Sequence, residues 1–250
     1  MGKFVAKERK LHLKRLSLEY FLPKIHMSNL LMTKLIKPTD GIVSRYVNRK
    51  ISTRITKFIV NHNIKVTPNQ VSIISFVMGV ISALLYMLGN PIIAGIGVQI
   101  SSIVDGVDGE LARFLGKSSR SGGFMDAMLD RFVDIATVSF VGLYLLLFRS
   151  INPSILVPIL MFALSGDLMV SYLHARAEAS LGVHPLIAGR GIGFASRDVR
   201  LFLIFIGSLL EVVLGGILLY TLLALGILSY AYTIFKTIEM ALIGERERKK

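Results

Sequence analysis

The sequence predicts an all-α polytopic membrane protein: six transmembrane helices preceded by an interfacial amphipathic helix. Three observations carry that reading. Hydrophobic residues make up 53% of the 250-residue chain, charged residues only 18%, and the mean hydropathy is +0.63, beyond the range of ordinary soluble domains. Apolar runs recur at roughly 70–88, 91–113, 122–148, 153–176, 198–213 and 216–237, close to the ~20 residues a bilayer requires. The 29 Lys and Arg residues are also one-sided. Fifteen precede the first run, four lie at 113–131, four at 176–200 and five at or after Lys236, which leaves Arg149 alone for the other side. That bias places both termini, and the polar face of a cell-membrane protein, in the cytoplasm.

The net charge of +13 is thus a topology signal that also attracts anionic membrane lipids and phosphorylated substrates, and it gives no reason to invoke nucleic acid. Cysteine is absent, which excludes disulfides, thiolate metal sites and cysteine nucleophiles. His12, His26, His62, His174 and His184 show no ligand spacing, so carboxylates are the metal ligands that composition offers. The opening MGKFVAKERKLHLKRL is too charged for the apolar core of a signal peptide.

Residues 1–41, broken by Pro23 and Pro38, read as a basic cytoplasmic lead-in. Over 42–66, Val43, Val47, Ile51, Ile55 and Ile59 recur every four residues, while Arg45, Arg49, Lys50, Arg54 and Lys57 occupy other faces. That pattern suits a helix lying in the lipid interface, with packing on a soluble partner as the alternative. Thr67 and Pro68 then supply an N-cap and a first helical position, opening a six-helix domain over 67–237. Gly89-Asn90-Pro91, Arg149 to Pro153 and Val213 to Gly216 are the short outer turns, with Gly215-Gly216 as the break between the last two spans. Residues 238–250 form a basic tail.

Four acids interrupt the apolar pattern: Asp105, Asp108, Asp126 and Asp130. On a helix, Asp105 and Asp108 lie about 60° apart and Asp126 and Asp130 about 40° apart, so each pair shares a face. The pairs stand on consecutive antiparallel helices near their cytoplasmic ends and can converge. A charge at bilayer depth costs at least roughly 2.5–3.5 kcal/mol, and four carboxylates repel one another, so positive charge is required. Arg113 and Arg131 offset part of it. Oxygen-only ligation points to Mg²⁺, Mn²⁺ or Ca²⁺, and two divalent ions balance four carboxylates and hold a diphosphate. Gly109, Ala112 and Gly122 keep the same faces flat, leaving room for a nucleotide or a neighbouring helix.

The run Asp105-x₂-Asp108-Gly109-x₂-Ala112-Arg113-x₈-Gly122-x₃-Asp126-x₃-Asp130 resembles the signature of the CDP-alcohol phosphotransferases at all eight fixed positions. Thr67-Pro68-Asn69 and Ala175-Arg176-Ala177-Glu178 extend the resemblance over most of 42–237. It implies transfer of the substituted phosphate of a CDP-alcohol to an acceptor alcohol, with release of CMP. It further implies that Asp105, Asp108 and Asp126 bind Mg²⁺ or Mn²⁺, in two ions, and that Asp130 lies near the metal and acts as general base. Gly109, Ala112 and Arg113 would contact the CDP moiety, Gly122 would give it space, and Asn69 belongs with that group. Members are commonly homodimers. Asp134, outside the signature, reads as a support for the site or a partner for Arg131.

Arg190, Arg197 and Arg200 cluster in the longest inner loop, and with Lys117 they suit a phosphate on the acceptor alcohol. The bland alternative is topology-setting charge at lipid headgroups. Asp167 falls in the inner half of the fourth span, and Glu211 near the outer end of the fifth, within reach of water. The stretch from Lys37 to Arg45, with Asn48 to Ser52, resembles the junction in archaeal enzymes that join an inositol-phosphate cytidylyltransferase to a di-myo-inositol-phosphate phosphate synthase. That resemblance suggests CDP-inositol and inositol phosphate as substrates. CDP-diacylglycerol-dependent phosphatidylinositol-phosphate and phosphatidylglycerophosphate synthases share the signature. An ion-coupled transporter would spread its acids across the midplane, and a two-motif prenyltransferase would separate its aspartate pairs by far more chain.

Overall fold

The computed structural model describes residues 39–189 and 193–248, and these are helical with no strand among them. The basic lead-in before Thr39, and Arg190, lie outside the described residues. A π-helical turn, Ser44–Asn48, runs into α1 (Arg49–Asn61). There follow α2 (Pro68–Met87), α3 (Pro91–Phe114), α4 (Arg120–Phe148), α5 (Pro153–Leu181), the short α6 (Pro185–Ala188), α7 (Arg197–Leu210) and α8 (Ile217–Arg248). Five of them, α2, α3, α4, α5 and α8, are long and apolar enough to cross a membrane.

Local chemistry sets the boundaries. Thr67 and Gln70 form a reciprocal capping box at the start of α2: Thr67 N donates to Gln70 Oε1 at 2.8 Å and Gln70 N to Thr67 Oγ1 at 3.3 Å. Ser119 caps α4 by accepting from Gly122 N at 3.0 Å. Proline occupies the first turn of α2, α3 and α5, where its missing N–H costs nothing.

The expected fifth span, 198–213, is only 14 residues long as α7. At 1.5 Å per residue it reaches about 21 Å, less than the ~30 Å hydrocarbon core. Glu211 ends it. Instead of reaching water, this side chain is fully buried, its oxygens accepting from Gly216 N and Leu218 N at 2.9 Å each. Arg149, the lone basic residue expected on the outer side, pairs with it at 2.6 Å. The carboxylate therefore satisfies the bare amides at the start of α8, which a turn alone would leave without partners. Gly216, at φ +90°, takes the left-handed conformation at this break.

Packing follows the logic of helices in lipid. On α2 the buried face is made of small residues, among them Ser72, Ser75, Gly79, Ser82 and Ala83, while Ile74, Val77, Ile81 and Leu84 are uncovered. Small residues let backbones approach, and large apolar ones face the solvent that accepts them. At Gly79 a Cβ would meet Val133 at 2.7 Å and Ser101 at 2.9 Å, so glycine is what allows α2 to lie between α3 and α4. Away from the aspartates, Tyr86, Ala94, Val141, Leu156, Ile204 and Leu222 join six helices in one apolar core. α3 also packs on α7, and α5 on α8.

α1 turns a row of hydroxyls inward and leaves Lys50 and Arg54 exposed. Ser52, Thr53 and Thr56 are buried, whereas Ile51 and Phe58 are exposed. The partner of that row is Glu110 of α3, itself fully buried. Ser52 Oγ donates to it at 2.6 Å, Thr56 Oγ1 at 2.7 Å and Thr53 Oγ1 at 3.2 Å, and Arg49 pairs with it at 2.8 Å. Ile55, Ile59 and Val60 pack beside this cluster against Val71, Val107 and Leu111.

Candidate functional site

Asp105 and Asp108 project from one face of α3 toward Asp126 of α4. Each of the three offers a carboxylate oxygen, and these atoms lie within 4.8 Å of one another. α2 supports them: Ser72 donates its hydroxyl to Asp108, and Ser75 Oγ stands 3.4 Å from Asp105 Oδ1. Neither serine was singled out in the sequence. The signal was there in the four-residue-like spacing of Ser72, Ser75, Gly79 and Ser82 along an otherwise apolar span. Three clustered carboxylate oxygens with hydroxyl support form an all-oxygen donor set, which fits a hard divalent cation.

Asp130 is engaged differently. Arg197, at the start of α7, places Nη1 2.9 Å from Asp130 Oδ1 and 3.1 Å from Asp105 Oδ2, while its Nε donates to Asp134 Oδ1 at 3.0 Å. Asp134 also pairs with Arg131 at 2.8 Å, as expected from sequence, and lies 3.9 Å from Arg200. Arg200 is buried, held by Asp167 through an ion pair at 3.1 Å and a hydrogen bond to its backbone carbonyl at 2.7 Å. Asp167 thus anchors an arginine, and among the described residues it is not part of the lining of either cavity at the aspartates.

Two cavities meet at the aspartates. The first, about 270 Å³, is lined by Asp105, Asp130, Arg197 and Arg200 and by residues of the segment before α1, including Asp40, Ser44 and Asn48. The second, about 300 Å³, gathers Asn69, Gly109, Ala112, Arg113 and Gly122, all five residues that the signature and its extension assign to the nucleotide. Asp108, Gly109 and Asp126 belong to both. Lys117, grouped in sequence with the arginines, lines the second cavity, so the proposed phosphate-binding set is divided between the two. Gly122 keeps its place for a physical reason: a Cβ there would stand 3.0 Å from Ser119 Oγ and 3.6 Å from Asn69 Oδ1, narrowing the second cavity.

The first cavity also has a wall that sequence reading left out. Arg49 grips Asp40 through Nε at 3.0 Å and Nη2 at 2.7 Å, and donates to the Gly106 carbonyl at 3.0 Å. Asp198 accepts from the backbone N–H of Ser44. Residues 40–49 are therefore fastened at one end to α3 and at the other to α7. His174 and His184, distant in sequence, meet beside the cavity with ring centroids 4.9 Å apart; His174 Nε2 lies 2.9 Å from the Tyr232 hydroxyl. His184 caps α6, its Nδ1 accepting from Leu186 N at 3.1 Å. Burial lowers the pKa of His184 below its usual value.

Comparison with known proteins agrees with this geometry. The chain is 43% identical over 176 residues to a bifunctional IPC transferase and DIPP synthase of Archaeoglobus fulgidus, covering 70% of this chain and 34% of the relative. The chain thus spans about a third of the length of that relative. It is 34% identical over 179 residues to an archaetidylinositol phosphate synthase of Pyrococcus horikoshii, covering 70% of this chain and 87% of the relative. Among solved structures, the phosphatidylinositol phosphate synthase of Mycobacterium tuberculosis with CDP-DAG bound superposes with a TM-score of 0.64 at 25% identity, over 76% of this chain and 94% of that one. The same synthase, in complex with manganese and citrate, gives 0.64 at 26% identity, over 76% and 88%. The family profile of the CDP-alcohol phosphatidyltransferases matches residues 65–233, which include the whole aspartate run and the lining of the second cavity. On that match the chain, an integral membrane protein of apolar helices, belongs to the CDP-alcohol phosphatidyltransferase family.

Proposed function

We propose that this protein transfers the substituted phosphate of a CDP-alcohol to a phosphorylated alcohol and releases CMP, with CDP-inositol as donor and inositol phosphate as acceptor. The observation that carries the reading is the meeting of two cavities on a shared floor, Asp108, Gly109 and Asp126. One side offers flat backbone and Arg113 to a nucleotide, the other polar side chains and arginines to a phosphorylated alcohol. Asp105, Asp108 and Asp126 would hold Mg²⁺ or Mn²⁺, which when bound offsets the charge of a diphosphate and of the departing CMP. Asp130, paired with Arg197, takes the proton of the attacking hydroxyl. That oxygen forms the new P–O bond as the bond from the same phosphorus to CMP breaks, and the CMP phosphate leaves with the bonding pair. Arg197 and Arg200 orient the acceptor's phosphate, and the serines of α2 keep the carboxylates aimed.

The proposal includes α7 as the short fifth span of six, α1 at the lipid interface, the 67–237 stretch as the catalytic domain, a site facing the cytoplasm and a homodimer. A lipid donor is the second reading. It is favoured by the Pyrococcus horikoshii relative, which this chain covers over most of its length. Purified protein in micelles with Mg²⁺ and inositol phosphate, given CDP-inositol or a CDP-linked lipid in turn, decides the matter by CMP release. CMP from CDP-inositol alone supports the first donor, CMP from the lipid donor alone replaces it, and no CMP from either removes the reaction.

A further inference from the structure

Asn48 is 3% exposed, although it stands at the beginning of the segment whose sequence suits a membrane surface. Arg45, Tyr46 and Val47 beside it are exposed. The turn that carries it has π geometry, a widening often found where backbone is fitted to a site. Asn48 lines the first cavity with Ser44, Ser102 and Asp105.

A buried amide is costly unless its donors and acceptors are used. Gln99 Nε2 donates to Asn48 Oδ1 at 2.8 Å, and Asn48 Nδ2 donates to Ser102 Oγ at a long 3.3 Å. Those contacts engage one N–H and one lone pair of a group that has two of each. Gln99 is itself buried, lies outside the cavity lining, and its Oε1 has no partner among the described residues. Its contribution is to hold the Asn48 oxygen, which turns the Asn48 NH₂ toward Ser102 and the cavity.

Placement gives that NH₂ a use. Gln99, Ser102 and Asp105 succeed one another every three residues on α3, so Asp105 stands roughly 4.5 Å along the axis from Ser102. A molecule whose reacting hydroxyl reaches the carboxylates holds its next hydroxyl against Asn48 and Ser102. Val170 and Leu186 are the only large apolar side chains in the described lining, so an acyl chain finds little there. A ring of hydroxyls finds partners.

We propose that Asn48, positioned by Gln99, is a specificity residue that reads a hydroxyl of a cyclic polyol phosphate next to the one that reacts. This rests on the phosphotransfer reading above. The test measures CMP release in micelles with Mg²⁺ and the better CDP-alcohol donor, comparing myo-inositol 1-phosphate with glycerol 3-phosphate. In Asn48→Ala, KM for the inositol phosphate rises about tenfold, while kcat, donor KM and glycerol phosphate KM each stay within about twofold. Gln99→Leu shifts the same KM in the same direction by about threefold. Equal effects on both acceptors, or none, overturn the proposal, since loosened packing would lower kcat for both alike. Wild-type protein that uses glycerol phosphate and rejects inositol phosphate overturns it too, with phosphotransfer itself intact. Absence of CMP with every donor and acceptor removes the reaction and this inference together.

Discussion

Arg197 reaches across the site to Asp130, Nη1 to Oδ1 at 2.9 Å, and the same nitrogen lies 3.1 Å from Asp105. One guanidinium thereby links α3, α4 and α7 at the point where their carboxylates crowd. Removing one partner of a buried ion pair costs about 3–5 kcal/mol, because the other charge is left uncompensated. Arg197→Ala should lose stability of that order in micelle unfolding experiments, with part of the loss restored by millimolar Mn²⁺. Arg197→Lys keeps the charge without the fork and should fall between the two.

The three clustered carboxylates and Asp130 should separate by readout. A cation that binds only the folded chain raises its melting temperature. Asp108→Asn and Asp126→Asn should abolish the rise caused by Mn²⁺ and also abolish CMP release. Asp130→Asn should retain most of that rise while the transfer rate drops about 10²–10⁴-fold, the usual contribution of a general base. A melting response to Mn²⁺ lost equally in all variants would place Asp130 among the ligands instead.

Glu110 holds α1 in place, since Arg49, Ser52, Thr53 and Thr56 all direct donors at it. Glu110→Ala should destabilise the protein by about 3–5 kcal/mol. Limited proteolysis should then cleave within 39–61 well before the long helices. Glu110→Gln keeps an acceptor for the three hydroxyls and should lose less.

Acid should loosen the loop that carries His184. Burial lowers its pKa from 6.5 in the unfolded chain, with a smaller opposing effect from Glu178. A depressed pKa on a base means that the stability is fully present above about 6.5 and falls as the pH drops below it toward the folded value. The cap gives a structural reason: a protonated Nδ1 cannot accept from Leu186 N. His184→Asn keeps a helix cap without titrating there, so its melting temperature should fall less than wild type between pH 7.5 and 5.5.

Much of this could be read in the sequence. The aspartate spacing is local, and helical geometry alone brings Asp105 and Asp108 to one face. The Thr67 cap and the Gly215-Gly216 break were legible for the same reason. What escaped depends on partners far along the chain. The periodicity of Val43, Val47, Ile51, Ile55 and Ile59 describes an apolar stripe, but which side faces the protein was decided by Glu110, some fifty residues on. Hydropathy gave Glu211 an outward end, and Arg149 together with the start of α8 drew it inside. Asn48, Ser72 and Ser75 looked like ordinary polar interruptions until the fold set them beside the carboxylates.

A shared floor between two chambers has a kinetic corollary. Neither reactant must depart before the other arrives, so initial-rate lines should intersect, the mark of a ternary complex, with no phosphorylated protein formed along the way. It also defines an inhibitor: one molecule with cytidine at one end, a polyol phosphate at the other and a bridge long enough to cross Asp108 and Asp126.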